Sequence, residues 1–459
     1  MRMKRKHDRA DCPDYADHPH GEELREIDRL LEEIPQLVAL VHGDLVEVDG
    51  VDPDFGREGM TARQVLGAAI SYHLFGCSFE TLAFLLKDSA SYRCLCRIPD
   101  ADQAPSSSTL HDNISKIRPE TWKIIQQILV LEAADRDIED GRQMRADCTV
   151  CDADIHPPTD ISLCRDVVRI GSRLLGQAAD LEGEVTYTDH TLRATRRALE
   201  FRTASGETRR KRCRDLLAVT RRTLGYAESA LKVLEDSPTA AIERADRPRQ
   251  RLIMKFSKLI ERGRAIIDQT WRRLLKGEKV SASEKLISVV EPHADIIVTK
   301  DGEVQFGHKI VLTTGTSSMV LDVQVLEGNP ADSTWTTQLI DRHIARFGSP
   351  PERVAFDGGF ASTDNLASLR EDFGVEEVAF HKKRGLTEAE MASSHAVYRQ
   401  LRSFRAGIEG NISWLKDSLA LRRCRWRSGL EGFKAYVYGA VVSANLLKMA
   451  RHRLDRRPG

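Results

Sequence analysis

The sequence predicts an α/β fold built on a mixed sheet, and three patterns predict it. From residue 285 the stretches KLISVVEP, ADIIVTKDGEV, GHKIVLTTGT and SMVLDVQVLEG read as strands separated by Pro, Gly and Asp-Gly turn signals. Past them helix and strand alternate: a helix over about 334–347, the strand RVAFD ending at Asp357, a helix over 366–373, the strand VEEVAF, and helices from His395 onward. Hairpins followed by alternation are the layout of a sheet with both antiparallel and parallel neighbours, covered by helices. The third pattern lies far upstream in GRQMRADCTVCDADI, where Met144, Ala146, Cys148 and Val150 alternate with Arg145, Asp147, Thr149 and Cys151.

The remaining elements are helical. Residues 1–20 are charged and read as a flexible tail. A helix follows from Glu22, with Leu24, Ile27, Leu31 and Ile34 at helical spacing until Pro35 stops it. Between 61 and 117 come short helical patterns, with Ser78 (ahead of Glu80) and Ser107 as N-caps. They suit a helix-turn-helix module and equally a plain helical bundle. From 160 to about 279 the chain is helical and basic; Leu252, Phe256, Leu259, Gly263, Ile266 and Leu274 follow the spacing of one long helix in an antiparallel pair. The expected division is a tail (1–20), a helical N-terminal domain for DNA (21–140), the first part of the sheet core (141–160), a helical insertion (161–284), the rest of the core (285–450) and a basic tail (451–459).

Composition narrows the class. With 459 residues and 41% apolar content the chain can bury several cores, while 30% charged and 6% aromatic residues describe helices with solvated faces. The N-terminus lacks a signal-peptide apolar stretch, and no run approaches the roughly 20 apolar residues of a membrane span, so a cytoplasmic protein without a membrane partner is expected. Nine cysteines, an odd number without a framework, are expected as free thiols. Of the close pairs Cys94/Cys96 and Cys148/Cys151, only the second has ordinary zinc spacing, and no structural zinc is expected. The net charge of zero hides a segregation: acids crowd the first sixty positions, and Arg and Lys collect between about 190 and 280 and after 380.

Three carboxylates stand out. Asp357 ends a strand just before Gly358-Gly359, where open α/β sheets present catalytic side chains, although Asp-Gly also suits a plain turn. Asp147 is central in its strand, where a carboxylate faces solvent, a partner or a cation, because burial without one is costly. In FRAGIEGNISWLK, Arg405, Glu409 and Lys416 are spaced by four and seven and share one helical face, as an ion-pair ladder also would. Three convergent carboxylates suit two Mg²⁺ or Mn²⁺ ions about 4 Å apart that assist an in-line phosphoryl displacement. Arg405 and Lys416 would then hold backbone phosphates, and Arg209, Arg210, Lys211 and Arg212 are the candidates for DNA contact elsewhere, with a solvated helix face as the alternative. Trp414 and Trp426 are expected to pack, and His156 to fix a turn.

The segments RADCTVCDADIHPPTD, FDGGFAS and FRAGIEGNISWLK, with RRCRWRSGLEGFKAYVYGAVVSANL downstream and SYHLFGCSFETLAFLLKDSASYRCLCRIP near the N-terminus, resemble DDE transposases of bacterial insertion sequences, of the ISNCY type. The resemblance spans most of the chain. It implies an RNase H-like catalytic core with Asp147 on the first strand, Asp357 on the fourth and Glu409 on a following helix. It further implies a large helical insertion after the first core strand and an all-α N-terminal domain. Arg405, Glu409 and Lys416 match the Y-x2-R-x3-E-x6-K signature, while Arg402 stands at its Tyr position and joins the candidates for DNA contact. The implied activity is Mg²⁺- or Mn²⁺-dependent hydrolysis at the element's inverted-repeat ends and strand transfer into target DNA, by at least a dimer. A metal-dependent endonuclease that does not join strands, and a non-catalytic DNA-binding relative, are the alternatives.

Overall fold

The computed structural model describes residues 2–49, 58–236, 247–299 and 302–456. They form two compact units, residues 155–296 and the remainder of the chain.

The larger unit opens with seven helices: α1 (Pro19–Glu33), α2 (Gln36–Asp49), α3 (Ala62–Phe75), α4 (Phe79–Asp88), α5 (Ala90–Leu95), α6 (Ser107–Ile114) and α7 (Pro119–Asp135). Local chemistry sets their ends. Thr61 and Gln64 close a capping box on α3, which stops at Gly76 in the left-handed region (φ 59°), and Ser78 caps α4. The α6 cap is Ser106 instead of the expected Ser107, because it is the Ser106 hydroxyl that accepts from the Thr109 N–H at 3.3 Å. Helices α3 and α4 meet at 107°, and no single described helix is long and apolar enough to cross a membrane.

The strand β1 (Gln143–Asp152) leads out of this unit into the smaller one. There α8 (Asp160–Leu181), α9 (Thr191–Thr203), α10 (Gly206–Asp236) and α11 (Arg247–Thr270) pack around Val167, Leu217, Leu224, Phe256 and Ile266.

The chain returns through β2 (Asp295–Val298), β3 (Val304–Thr314) and β4 (Val320–Val325). Helix and strand then alternate as α12 (Thr336–Phe347), β5 (Arg353–Phe356), α13 (Thr363–Glu371) and β6 (Glu377–Phe380), followed by α14 (Glu388–Met391), α15 (His395–Ser418) and α16 (Gly429–Asp455). The sheet runs β2-β3-β1-β5-β6, with β4 also on β3. Pairs β1–β3 and β3–β4 are antiparallel, β1–β5 and β5–β6 parallel. This is the expected mixed sheet. Met144 and Ala146 point into a core with Val354, Phe356 and Phe380.

Four expectations need correction. KLISVVEP is no strand: Gln269 accepts from the Leu286 N–H at 2.9 Å and Arg262 donates to the Val289 carbonyl at 2.6 Å, so side chains of α11 take its backbone groups. Residues 2–20 are no loose tail, since the Ala62 N–H donates to the Met3 carbonyl at 3.0 Å and Tyr15 is buried. Residues 451–455 continue α16, where Arg451 pairs with Glu23 at 2.7 Å. The helices of 21–140 share one compact unit with the sheet, because α16, apolar on every side, packs against α1, α3, α7 and β4 together.

Candidate active site

Strand register brings the two aspartates side by side. Ala146 of β1 is level with Phe356 of β5, and the next residue on each is Asp147 and Asp357. Asp147 lies on the face opposite Met144 and Ala146, the face crossed by α15. Arg145, two residues earlier on that face, fastens the helix: its guanidinium donates to the Phe404 carbonyl at 2.6 Å, to Thr314 Oγ1 at 2.8 Å and to Ser318 Oγ at 3.1 Å. Close approach is possible because position 407 is glycine; a Cβ there would lie 2.2 Å from Arg145 Nη1.

The seating of α15 delivers Arg405 and Glu409 to the aspartates. Arg405 Nη2 lies 2.8 Å from Asp147 Oδ2 and 3.3 Å from Asp357 Oδ1, and Nη1 lies 2.6 Å from Glu409 Oε1. One guanidinium thus touches all three carboxylates that the sequence singled out. Asp147 and Asp357 are largely shielded, at 15% and 14% side-chain exposure, whereas Glu409 is 65% exposed on the solvent side. Burial pushes the Asp147 carboxyl up to about 6, against the pull of Arg405 and the Cys148 N–H and with the push of Asp357 and Asp332.

Asp332 and Lys309 were not among the sequence candidates. Lys309 of β3 pairs with Asp332 and donates to the Pro330 carbonyl at 2.8 Å. Asp332 is packed so closely on the turn after Asp357 that a Cβ at Gly359 would lie 2.1 Å from its Oδ2. Nothing local in EGNPADSTW marks this aspartate, whereas Arg145 was readable as sharing a strand face with Asp147.

Among the described residues no group of three His, Cys, Asp or Glu stands ready to hold a metal ion. The donors nevertheless fit a hard divalent cation. They are carboxylate oxygens, and the four acids Asp147, Asp357, Glu409 and Asp332 gather around the two cationic side chains Arg405 and Lys309.

The other candidates are spread out. Arg402 is exposed on α15. Lys416 is half-buried, its pKa lowered by burial, beside Cys151 and Asp152 at the end of β1. Arg209, Arg210 and Lys211 are exposed in the smaller unit, and Arg212 pairs with Glu200 at 2.9 Å. Trp426 is buried among the rings of Tyr72, Phe79 and Tyr436; Trp414 has Lys448 over its ring at 4.8 Å; His156 Nε2 is 2.5 Å from Asp166 Oδ2.

Residues 287–446, which contain Asp357, Arg405 and Glu409, match the family model described as Transposase DDE domain. That segment is similar to a transposase DDE domain. The match begins at residue 287 and so leaves out Asp147, whose strand β1 pairs with β3 and β5 of the matched segment. A DDE domain implies an RNase H-like core, in keeping with the mixed sheet. No curated protein and no solved structure matches the chain.

Proposed function

We propose that this protein is an insertion-sequence transposase that hydrolyses phosphodiester bonds at the ends of its element and transfers the freed strands to target DNA, with Asp147, Asp357 and Glu409 as its acidic triad. The observation that carries the reading is the convergence of those three carboxylates, from two neighbouring strands and one helix, on the Arg405 guanidinium. Two of the three lie inside the DDE-domain match.

Asp147 and Asp357, held rigidly on adjacent strands, and Glu409, on the open side, would hold Mg²⁺ or Mn²⁺, with two ions per site as the proposed stoichiometry. When bound, such ions supply charge stabilisation and activation of the attacking and leaving oxygens in an in-line displacement. The chain's own part is positioning. The strand pair and Arg145 keep the carboxylates in register with α15, and Arg405 balances their charge. Arg402 and Lys416, on the same helix, face the backbone phosphates of the DNA. In the first step water attacks phosphorus and the bond to the 3′ oxygen breaks, leaving a 3′-hydroxyl. In the second that hydroxyl attacks a target phosphodiester and displaces a strand. Two ends must be paired, so the working form is at least a dimer, acting in the cytoplasm.

The test is cleavage and joining of a labelled end-containing duplex in Mg²⁺ or Mn²⁺ by wild type, Asp147→Asn, Asp357→Asn and Glu409→Gln, with DNA binding measured in parallel. Each variant is expected to lose cleavage by at least a hundredfold (~2.7 kcal/mol of activation free energy) while binding DNA. Cleavage surviving in one variant removes that residue from the triad. Wild-type cleavage without joining favours the endonuclease reading.

A further inference from the structure

We propose that Lys309 and Asp332 are positioning residues of the acidic site: their ion pair braces the turn that follows Asp357 and so fixes where that carboxylate stands. The inference rests on the triad reading in taking Asp357 as one of the acids. Asp357 follows β5 and opens a turn in which the Phe360 N–H donates to the Asp357 carbonyl at 3.1 Å. The two residues inside that turn are Gly358 and Gly359, of the type with the greatest backbone freedom. A carboxylate ahead of two glycines is poorly fixed unless something outside the turn holds them. Both are held. A Cβ at Gly358 would lie 2.6 Å from Lys382 Cβ, and one at Gly359 would collide with Asp332 Oδ2. The turn is thus clasped between the segment after β6 and the Asp332 carboxylate.

Asp332 can serve as a stop because it is itself pinned. Lys309 Nζ pairs with it and donates to the Pro330 carbonyl at 2.8 Å, and the two side chains are shielded, at 13% and 15% exposure. A shielded carboxylate without a countercharge is costly, which keeps the pair together. Lys309 stands on β3 opposite Val150 of β1, the strand that carries Asp147. The pair therefore ties the loop ahead of α12 back to the strands that hold the other aspartate. A second set of bonds joins the same loop to the turn. Asn365 Nδ2 donates to the Ser333 carbonyl at 2.9 Å and to the Phe360 carbonyl at 2.8 Å, and Thr336 Oγ1 donates to the Phe360 carbonyl at 3.2 Å.

Charge follows the same arrangement. Asp332 is near enough to Asp147 for its charge to add to the push on that carboxyl, and Lys309 supplies the opposite charge at Asp332 itself. What the pair contributes to the site is therefore a fixed shape with its charge balanced. A carboxylate that must meet a cation at a set place depends on such support, and a displacement of about 1 Å can cost two orders of magnitude in rate. The packing role predicts that the shape of residue 332 matters more than its charge.

The experiment is Mn²⁺ binding to the full-length protein without DNA, read by electron paramagnetic resonance, with kcat and KM for cleavage of an end-containing duplex measured alongside. Asp332→Ala and Gly359→Ala are expected to weaken Mn²⁺ binding and to lower kcat by roughly 10–100-fold each, with KM for DNA unchanged. Asp332→Asn removes the same charge but keeps the shape and can still accept from Lys309, so it is expected to retain most of both. Asn365→Ala frees the turn from α13 without altering any charge; it is expected to weaken Mn²⁺ binding in the same direction and serves if Asp332→Ala or Gly359→Ala fails to fold. Wild-type Mn²⁺ affinity in Asp332→Ala, or in Asn365→Ala where that variant stands in, overturns the proposal. So does an Asp332→Asn that falls as far as Asp332→Ala, since the carboxylate would then act by its charge or as a ligand. Asp357→Asn separates this inference from the one beneath it: wild-type Mn²⁺ affinity there removes Asp357 from the triad and this proposal with it, whereas loss there with none in Asp332→Ala overturns the positioning role alone.

Discussion

Arg405 sits where three carboxylates meet, and the Asp147 carboxyl beside it is pushed up to about 6 by burial. A raised folded-state pKa means that this group's contribution to stability is fully present below the ordinary carboxylate range and is lost as pH rises through about 6. Cation binding runs the other way, because it needs Asp147 ionised. Mn²⁺ affinity of the DNA-free protein, read by electron paramagnetic resonance, is therefore expected to fall by about tenfold per pH unit below 6, and Asp147→Asn to lose most of that dependence. A wild-type profile that stays flat from neutral pH to well below 6 contradicts the assignment. At this scale the sequence was informative about identity and silent about surroundings. The strand alternation around Asp147, the Asp-Gly-Gly at 357 and the helical spacing of Arg405 and Glu409 are local patterns. Asp332 and Lys309 enter the site through packing over long sequence separations, which leaves no periodic trace.

Helix α15 reaches the sheet because Gly407 leaves room for Arg145, whose tip is held by three hydrogen bonds and cannot retreat freely. At Gly410, one turn on, an added Cβ would meet nothing within 4 Å. The two glycines therefore respond oppositely to alanine. Gly410→Ala is expected to stabilise the protein by about 0.5–1 kcal/mol through helix propensity. Gly407→Ala is expected to destabilise it by about 1–3 kcal/mol through overpacking, and to lower cleavage as α15 shifts. Urea unfolding of both variants is the check, and equal effects would mean that Arg145 does not hold the helix. Sequence reading recovered this helix from its spacing, as it recovered β1 and most helices of the first 135 residues. It failed at KLISVVEP, whose strand-like composition loses to α11 side chains that take its backbone groups.

In the larger unit the N-terminal helices pack with the sheet that carries Asp147 and ends at Asp357. Strand β4 would expose an edge, and side chains from outside the sheet cover it. Asn445 of α16 accepts from the Val320 N–H and donates to its carbonyl, both at 2.9 Å, while Gln126 of α7 donates to the Val320 and Leu321 carbonyls at 2.9 and 2.7 Å. Asn445→Ala leaves the buried Val320 N–H without this partner and is expected to cost about 1–3 kcal/mol, seen as an earlier midpoint in the unfolding of that unit. A midpoint unchanged from wild type would separate the helices energetically from the sheet.

Most element types and the mixed sheet were legible in the sequence, and the three acids stood out there as candidates, because periodicity, turn residues and caps act between near neighbours along the chain. Only the tertiary structure decided that Ala146 stands level with Phe356, that one guanidinium joins Asp147, Asp357 and Glu409, and that residues 2–18 and 451–455 pack instead of trailing. Register, ion pairing and burial depend on partners up to hundreds of residues away, and a free-energy minimum over such contacts is not encoded in any local pattern.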